Sequence, residues 1–285
     1  MNSQTHQDTN NQRFESNYKV DQQQIETWVE TFNQAGCLFL EEVLTEEHCA
    51  QLKADLDWSL QNFTTRSDDP PGKCVNSKDG GTQIRLCHQM FEHSSANLNL
   101  FDLEPIVSFA EALVAPNCHV IHNNSFISPP GGGIIGWHQD DTPHMIVTDG
   151  TPPKNIRLPV LFFTANYYLT DVTEVKNGGT ETIPGSHLFA SGPPGQIEGT
   201  EWEDKIRHNL GKAGSVSMFN NQVWHRGGPN QSDRPRYVAQ VTYGRRVIGH
   251  KYYPFMNYNM PEHVYKDANP RLKRLVGFLD HGAYG

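Results

Sequence analysis

The stretch IIGWHQDDTPHM, residues 134–145, crowds a tryptophan, a histidine, a glutamine and two aspartates between a run of glycines and a Thr-Pro. His-x-Asp by itself carries little weight. The same HQD recurs at His6–Asp8 in a polar stretch where nothing else points to chemistry. Read as a strand, residues 134–140 place His138 and Asp140 on one face and turn Gln139 away, because side chains alternate with period two. Asp141, the neighbouring acid, then faces the other side. One strand can thus offer an imidazole and a carboxylate to a single point. Two ligands do not hold a catalytic metal, so a third has to come from elsewhere in the chain.

Length and composition set the frame. The chain has 285 residues, 36% of them hydrophobic and 19% charged, which suits a globular protein with a real core. A formal net charge of −9 argues against a nucleic-acid or anionic-membrane partner. There is no apolar run of 18 residues, so no membrane span is expected. Residues 1–17 are polar without an apolar stretch and read as a disordered tail rather than a signal peptide. Five cysteines (Cys37, Cys49, Cys74, Cys87 and Cys118) form no Cys-x-x-Cys pair and are odd in number. They read as free thiols of a reducing compartment, with the cytoplasm as the default location.

The segment DQQQIETWVETFNQAG predicts a helix with Ile25, Val29 and Phe32 on one face and Gly36 as its stop. CLFLEEVL follows as a strand, and Thr45 caps a second helix carrying Leu52, Leu56 and Leu60. PIVSFAEALVA and NPRLKRLVGFL predict further helices. Between these last two, CHVIHNNSFI, LPVLFFTANYYL, AGSVSMFN and RYVAQVTYG are β-rich runs separated by turn residues. The pattern predicts an α+β, mainly β, single domain over residues 18–285: a β-sandwich or barrel with helices packed outside.

The third ligand is then His225, which follows the strand AGSVSMFN and precedes the turn Gly227-Gly228-Pro229. Two histidines and a carboxylate with open positions form the facial triad of non-haem Fe(II) oxygenases, though zinc accepts the same set. Arg236 distinguishes the two. It stands eleven positions after His225 and opens RYVAQVTYG, whose even positions Arg236, Val238, Gln240 and Thr242 share a face. A guanidinium fork grips a carboxylate bidentately, as the far end of 2-oxoglutarate requires, and a zinc hydrolase has no need of one.

At these residues the chain resembles the phytanoyl-CoA dioxygenase family of Fe(II)/2-oxoglutarate oxygenases. The resemblance rests on WHQD (137–140), NGGTETIPGSH (177–187) and WHRGGPNQSDRPRY (224–237), and on an opening like AGCLFLEEVLTEEH (35–48). It implies a double-stranded β-helix (jelly roll, cupin-like barrel) buttressed by N-terminal and other helices. It also implies Fe(II), 2-oxoglutarate and dioxygen as cofactor and co-substrates. His138, Asp140 and His225 match the iron ligands, and Arg236 matches the residue that binds the distal carboxylate. Thr180 matches a hydroxyl that helps hold the co-substrate, and Asn123 a polar position near the oxo acid. Where some members carry a hydroxyl two positions after the distal histidine, this chain has Gly227.

The expected reaction is oxidation of a C–H bond, most simply hydroxylation, of a small organic or natural-product substrate, with release of succinate and carbon dioxide. The competing readings are a metal-dependent hydrolase or isomerase on a cupin-like barrel, and a non-catalytic jelly-roll binding protein. No basic cluster suggests a CoA phosphate site. Loops 64–90, 141–157 and 188–203 are expected at the pocket mouth, with Arg85, His144 and Arg157 as polar substrate contacts and Trp137 as an aromatic one. His122 is a further residue that could line the pocket, while His187 reads as fixing a turn. The partner is a small molecule, and the chain is expected to be a monomer or a homodimer.

Overall fold

Asp21 turns the chain into its first helix, its carboxylate accepting the Gln24 N–H at 2.8 Å. Helix α1 (Gln22–Ala35) stops at Gly36, which takes the left-handed conformation (φ 72°) that glycine enters without steric cost. Thr45 likewise accepts the His48 N–H and starts α2 (Glu46–Asn62). Short α3 (Ser95–Asn99) and apolar α4 (Ile106–Leu113) follow, and α5 (Glu262–Tyr265) and α6 (Pro270–Leu275) lie near the C-terminus. Asn269 caps α6, with Pro270 in its first turn. The structure is a computed structural model and describes residues 13–63, 74–77, 82–148, 155–253 and 255–280.

The β-rich runs become strands where the pattern places them. In chain order the strands are β1 (Cys37–Leu40), β2 (Cys74–Ser77), β3 (Thr82–His88), β4 (His119–Ser128), β5 (Gly133–Ile134), β6 (Phe162–Tyr168), β7 (Thr180–Thr182), β8 (Arg207–His208), β9 (Val216–Asn220), β10 (His225–Gly227) and β11 (Arg236–Gly244). An eight-stranded antiparallel sheet runs β1-β9-β6-β11-β4-β3-β2, with β5 beside β3. A second sheet of three strands runs β10-β7-β8.

Alternation along the central strands separates two jobs. Odd positions of β6 and β11 (Phe163, Ala165 and Tyr167; Ala239, Val241 and Tyr243) are buried in the large apolar core shared with the helices. There Phe163 meets Phe32 of α1 and Phe109 of α4 edge-on, at 5.8 and 5.5 Å between centroids, and stacks on Tyr243 at 5.4 Å. Each such ring contributes about 1.5–3 kcal/mol by burial. Even positions face the other way, into a cavity between the two sheets, where a substrate can enter a barrel held rigid from outside.

Three expectations change. The polar sequence through Asn17 reads as a disordered tail, yet Phe14 is buried and stacks on His48 at 4.3 Å. Arg13 also pairs with Asp102 at 2.7 Å, so an apolar anchor missed among polar neighbours carries the chain inward earlier; residues 1–12 lie outside the described residues. The expectation of free thiols fails for two of five: Cys74 and Cys87 face each other in the β2–β3 register and are joined by a disulfide, while Cys37, Cys49 and Cys118 are buried and free. Finally, residues 134–140 are not one strand. β5 ends at Ile134, and His138 makes a single bridge to His225. The glycines before it bend the chain from the large sheet to the small one.

Candidate metal centre and co-substrate pocket

The bridge fixes the geometry of the site. His138 and His225 exchange main-chain hydrogen bonds at 3.0 and 2.9 Å, and the Asp140 N–H donates to the Asn221 carbonyl at 2.8 Å. Asp140 therefore lies beside both imidazoles even without a continuous strand. Its Oδ1 is 3.9 Å from Nε2 of His138 and 3.6 Å from Nε2 of His225. One ligand atom from each residue lies within 4.8 Å of the others. Small side-chain movements would close them on one ion with bonds of about 2.0–2.2 Å.

The hydrogen bonds also set the tautomers. Nδ1 of His138 lies 2.8 Å from the Gly136 carbonyl, and Nδ1 of His225 lies 2.8 Å from the Val223 carbonyl. A carbonyl only accepts, so each Nδ1 carries the proton and each Nε2 keeps a lone pair for a metal. Burial, reinforced by His225, lowers the pKa of His138. Burial alone would raise Asp140, but His225 and His138 outweigh it and hold the carboxyl below its usual range. Neutral nitrogens and an ionised carboxylate are what a divalent ion needs.

The cavity beside this cluster holds about 220 Å³. Its floor is written by strand register: His122, Thr242, Thr164 and Phe219 form one row across the large sheet, and Gln240 and Asn166 belong to the next. Phe219 carries the His225 ring at 4.2 Å, which seats the metal cluster over the first row. Arg236 lies at the far end of the same face of β11. It is 4% exposed, with one terminal nitrogen donating to Ser128 Oγ at 3.0 Å and its Nε without a partner. Burial lowers its pKa to about 10, which still leaves it charged at neutral pH. A buried guanidinium with an orphaned donor facing a cavity fits a carboxylate ligand.

The family profile of phytanoyl-CoA dioxygenase (PhyH) matches residues 32–238. The chain belongs to that family. As a member of the phytanoyl-CoA dioxygenase family it is an Fe(II)- and 2-oxoglutarate-dependent dioxygenase, with dioxygen as the second co-substrate. Among curated relatives, it is 27% identical to dioxygenase trt7 of Aspergillus terreus, over 42% of this chain and 39% of that protein. It is 24% identical to the ectoine dioxygenase of Streptomyces avermitilis, over 73% of this chain and 74% of that one. The chain thus spans about two-fifths of the first relative and three-quarters of the second. In fold it is similar to the non-heme alpha ketoglutarate dependent epimerase SnoN from nogalamycin biosynthesis (TM-score 0.60, 17% identity, 85% of this chain and 94% of that one). It is also similar to the carbocyclase SnoK from nogalamycin biosynthesis (TM-score 0.57, 18% identity, 84% and 88%). A SnoN crystal structure contains Fe3+, alpha ketoglutarate and nogalamycin RO. No helix among the described residues is long and apolar enough to cross a membrane.

The family motifs now have physical reasons. In NGGTETIPGSH, Gly178 has φ 73°, and a Cβ there would lie 2.6 Å from the Gly228 carbonyl. That close approach brings β7 against the turn after His225. Thr180 stands opposite Gly227 in the β7–β10 register and lines the cavity, its Oγ1 accepting from Asn166 at 3.4 Å. A Cβ on Gly227 would sit 3.3 Å from a terminal nitrogen of Arg236, so the missing hydroxyl leaves the guanidinium its room. Arg226 faces the buried Glu181 across the same ladder and bonds it at 2.6 Å.

Other expected residues lie elsewhere. Asn123 has the wrong parity: its side chain accepts the Phe91 N–H and donates to the Gln240 carbonyl, bracing the strand from behind. Gln240 and Asn166, joined at 2.9 Å, supply the cavity's amides instead. Arg85 is exposed, pairs in register with odd-numbered Ile127, and is turned from the cavity. Arg157 is exposed and meets Glu30 of α1 at 3.7 Å, away from the site. His144 is held by Asp141 at 3.2 Å and its N–H by Gln222, outside the cavity lining. Trp137 packs against the cluster of Ile183, Ile197 and Trp224, with the Arg226 guanidinium 4.8 Å from its ring, and is not among the residues lining the cavity. His122 does line it, and His187 reaches the Asn33 carbonyl as a structural contact. Lys251, which sequence reading passed over, also lines the cavity. Of the three expected mouth loops, residues 64–73, 78–81 and 149–154 lie outside the described residues.

Proposed function

We propose that His138, Asp140 and His225 hold iron, that Arg236 holds the distal carboxylate of 2-oxoglutarate with Thr180 near its path, and that the enzyme hydroxylates a C–H bond of a small organic molecule. Succinate and carbon dioxide are the co-products. The observation that carries this reading is the pairing of a two-histidine, one-carboxylate cluster with a buried arginine whose Nε has no protein partner, in one cavity. A hydrolase or isomerase would have no use for that arginine, and a binding module would have no use for the four residues together.

Bound iron and 2-oxoglutarate supply the oxidising chemistry, and the chain's residues position it. Asp140 would supply the one carboxylate ligand beside the two histidines, a donor set that suits iron(II). The bridge between His138 and His225 aims both imidazoles at one point, and Phe219, Phe126 and Val238 give the cavity an apolar wall beside them. Which hydrogen the cavity presents sets the outcome, and hydroxylation needs the fewest further groups. Anaerobic addition of Fe(II) and 2-oxoglutarate should produce the weak visible charge-transfer band of the chelate. No band with the wild-type protein, or a full-strength band with Asp140→Ala and His225→Ala, would overturn the assignment.

A further inference from the structure

Once the proposed co-substrate is in place, one cation of the cavity lining is left without a carboxylate partner among the described residues. Asp140 is the one acid that lines it among the described residues. Arg226 also reaches the lining, but its charge is offset by Glu181 at 2.6 Å and Glu198 at 2.9 Å. Arg236 and Lys251 remain, with no ion pair to either among the described residues at salt-bridge distance. With 2-oxoglutarate held by Arg236, Lys251 is the cavity cation left without a carboxylate partner among the described residues. Lys251 is exposed to solvent, so no burial penalty drives the pairing; its ammonium gives the open side of the cavity a cationic donor that suits an anionic ligand.

Lys251 is also the better placed of the two cations to meet a substrate. Its N–H donates to the Ile121 carbonyl at 2.6 Å, and the next residue, Tyr252, is buried with its hydroxyl bonded to the Val120 carbonyl. The main chain is thereby pinned to the start of β4, whereas Arg236 pairs with Ser128 at its other end. The ammonium lies 5.0 Å from the centroid of the Phe162 ring, a cation–π contact that restrains the flexible stem. It is close enough to Asp140 and to His122 to act on both electrostatically. His122 lines the same end of the cavity, with the His88 ring 6.0 Å away. Burial and the neighbouring positive groups push its pKa to about 3, so it presents a neutral imidazole able to donate or accept.

We propose that Lys251 and His122 form the substrate-anchoring end of the cavity, and that the substrate is a small organic molecule bearing one carboxylate held by the Lys251 ammonium. The inference rests on the oxygenase reading, which assigns Arg236 to the co-substrate and leaves Lys251 free for the substrate.

The test uses matched pairs of small aliphatic acids and their primary amides, linear and cyclic, titrated into the anaerobic Fe(II)·2-oxoglutarate protein at saturating 2-oxoglutarate. The visible band reports binding. At least one acid should perturb it with half-saturation roughly tenfold below that of its amide. Lys251→Met should abolish that preference, and Lys251→Arg should keep most of it. Equal binding of acids and amides, no response to any acid, or a preference that survives in Lys251→Met would each overturn the proposal. Should the band never form, the cofactor assignment fails by itself. Calorimetric titration of the same pairs into the metal-free wild-type and Lys251→Met proteins then decides the role of Lys251, with the same outcomes for and against.

Discussion

His138 and His225 are tied to each other through the main chain, by reciprocal hydrogen bonds of 3.0 and 2.9 Å, and their rings approach to 4.3 Å between centroids. Residues 87 positions apart in the chain thus share one frame, set by main-chain hydrogen bonds. Asp140 joins this frame through its own N–H to Asn221. A metal entering finds three donors already oriented, so little ordering entropy opposes its capture.

Removing one donor should therefore be felt strongly. Asp140→Gly should abolish turnover and weaken Fe(II) binding by about 100-fold or more, the two imidazoles retaining a residual affinity. Asp141→Ala should leave binding within a few-fold, since Asp141 is occupied with His144 and the Thr142 N–H. Anaerobic metal titration distinguishes the two, and equal losses would show that the ligand has been misassigned.

Arg236→Ala should raise KM for 2-oxoglutarate by about 100-fold while changing Fe(II) affinity little, because a bidentate charged contact inside a barrel is lost. Arg236→Lys should recover only part of this, as a lysine lacks the fork. Arg234 and Arg245 donate to the carbonyls of Asp171 and Val160. Their alanine variants should keep the wild-type KM; a large rise in either would shift the assignment to that residue.

Gly178→Ala should destabilise the protein by roughly 2–4 kcal/mol. The left-handed backbone costs about 1–2 kcal/mol for any other residue, and the Cβ would drive into the Gly228 carbonyl. Urea unfolding reads this directly, and a loss below about 0.5 kcal/mol would refute the close approach of β7 to the turn after β10.

His48 sets a pH dependence. Burial lowers its pKa from the ordinary 6.5 to about 4 while its Nε2 bonds the Ala96 carbonyl. Between those values the unfolded chain binds the proton and the folded one does not, so stability is full above pH 6.5 and falls as pH drops toward 4. The slope from this one residue approaches about 1.4 kcal/mol per pH unit. His48→Gln keeps a donor for Ala96 but cannot titrate. Its stability loss between pH 7 and 4.5 should be smaller than that of the wild type by about 2 kcal/mol, and an unchanged difference would remove His48 as the cause.

What the sequence determined by itself is local. The helix cap at Thr45, the stop at Gly36, the strand runs and the common face of Arg236, Val238, Gln240 and Thr242 follow from periodicity and turn chemistry, and all appear as expected. The motif spacing also singled out the three residues that converge near one point. What only the tertiary structure decided is which way each remaining side chain faces and what it meets. Asn123 and His122 are neighbours in sequence, and only the β4–β11 register and the helices behind it send one to the back of the sheet and the other into the cavity. Arg85 and Arg157 are cations on plausible loops, yet strand parity and an ion pair with α1 turn them away. Lys251 follows a loop with no motif, and a single main-chain bond to Ile121, 130 positions earlier, brings it to the cavity. Period and capping are properties of neighbours along the chain and can be read from it. Register and long-range hydrogen bonds depend on pairings between distant segments, which no local pattern encodes.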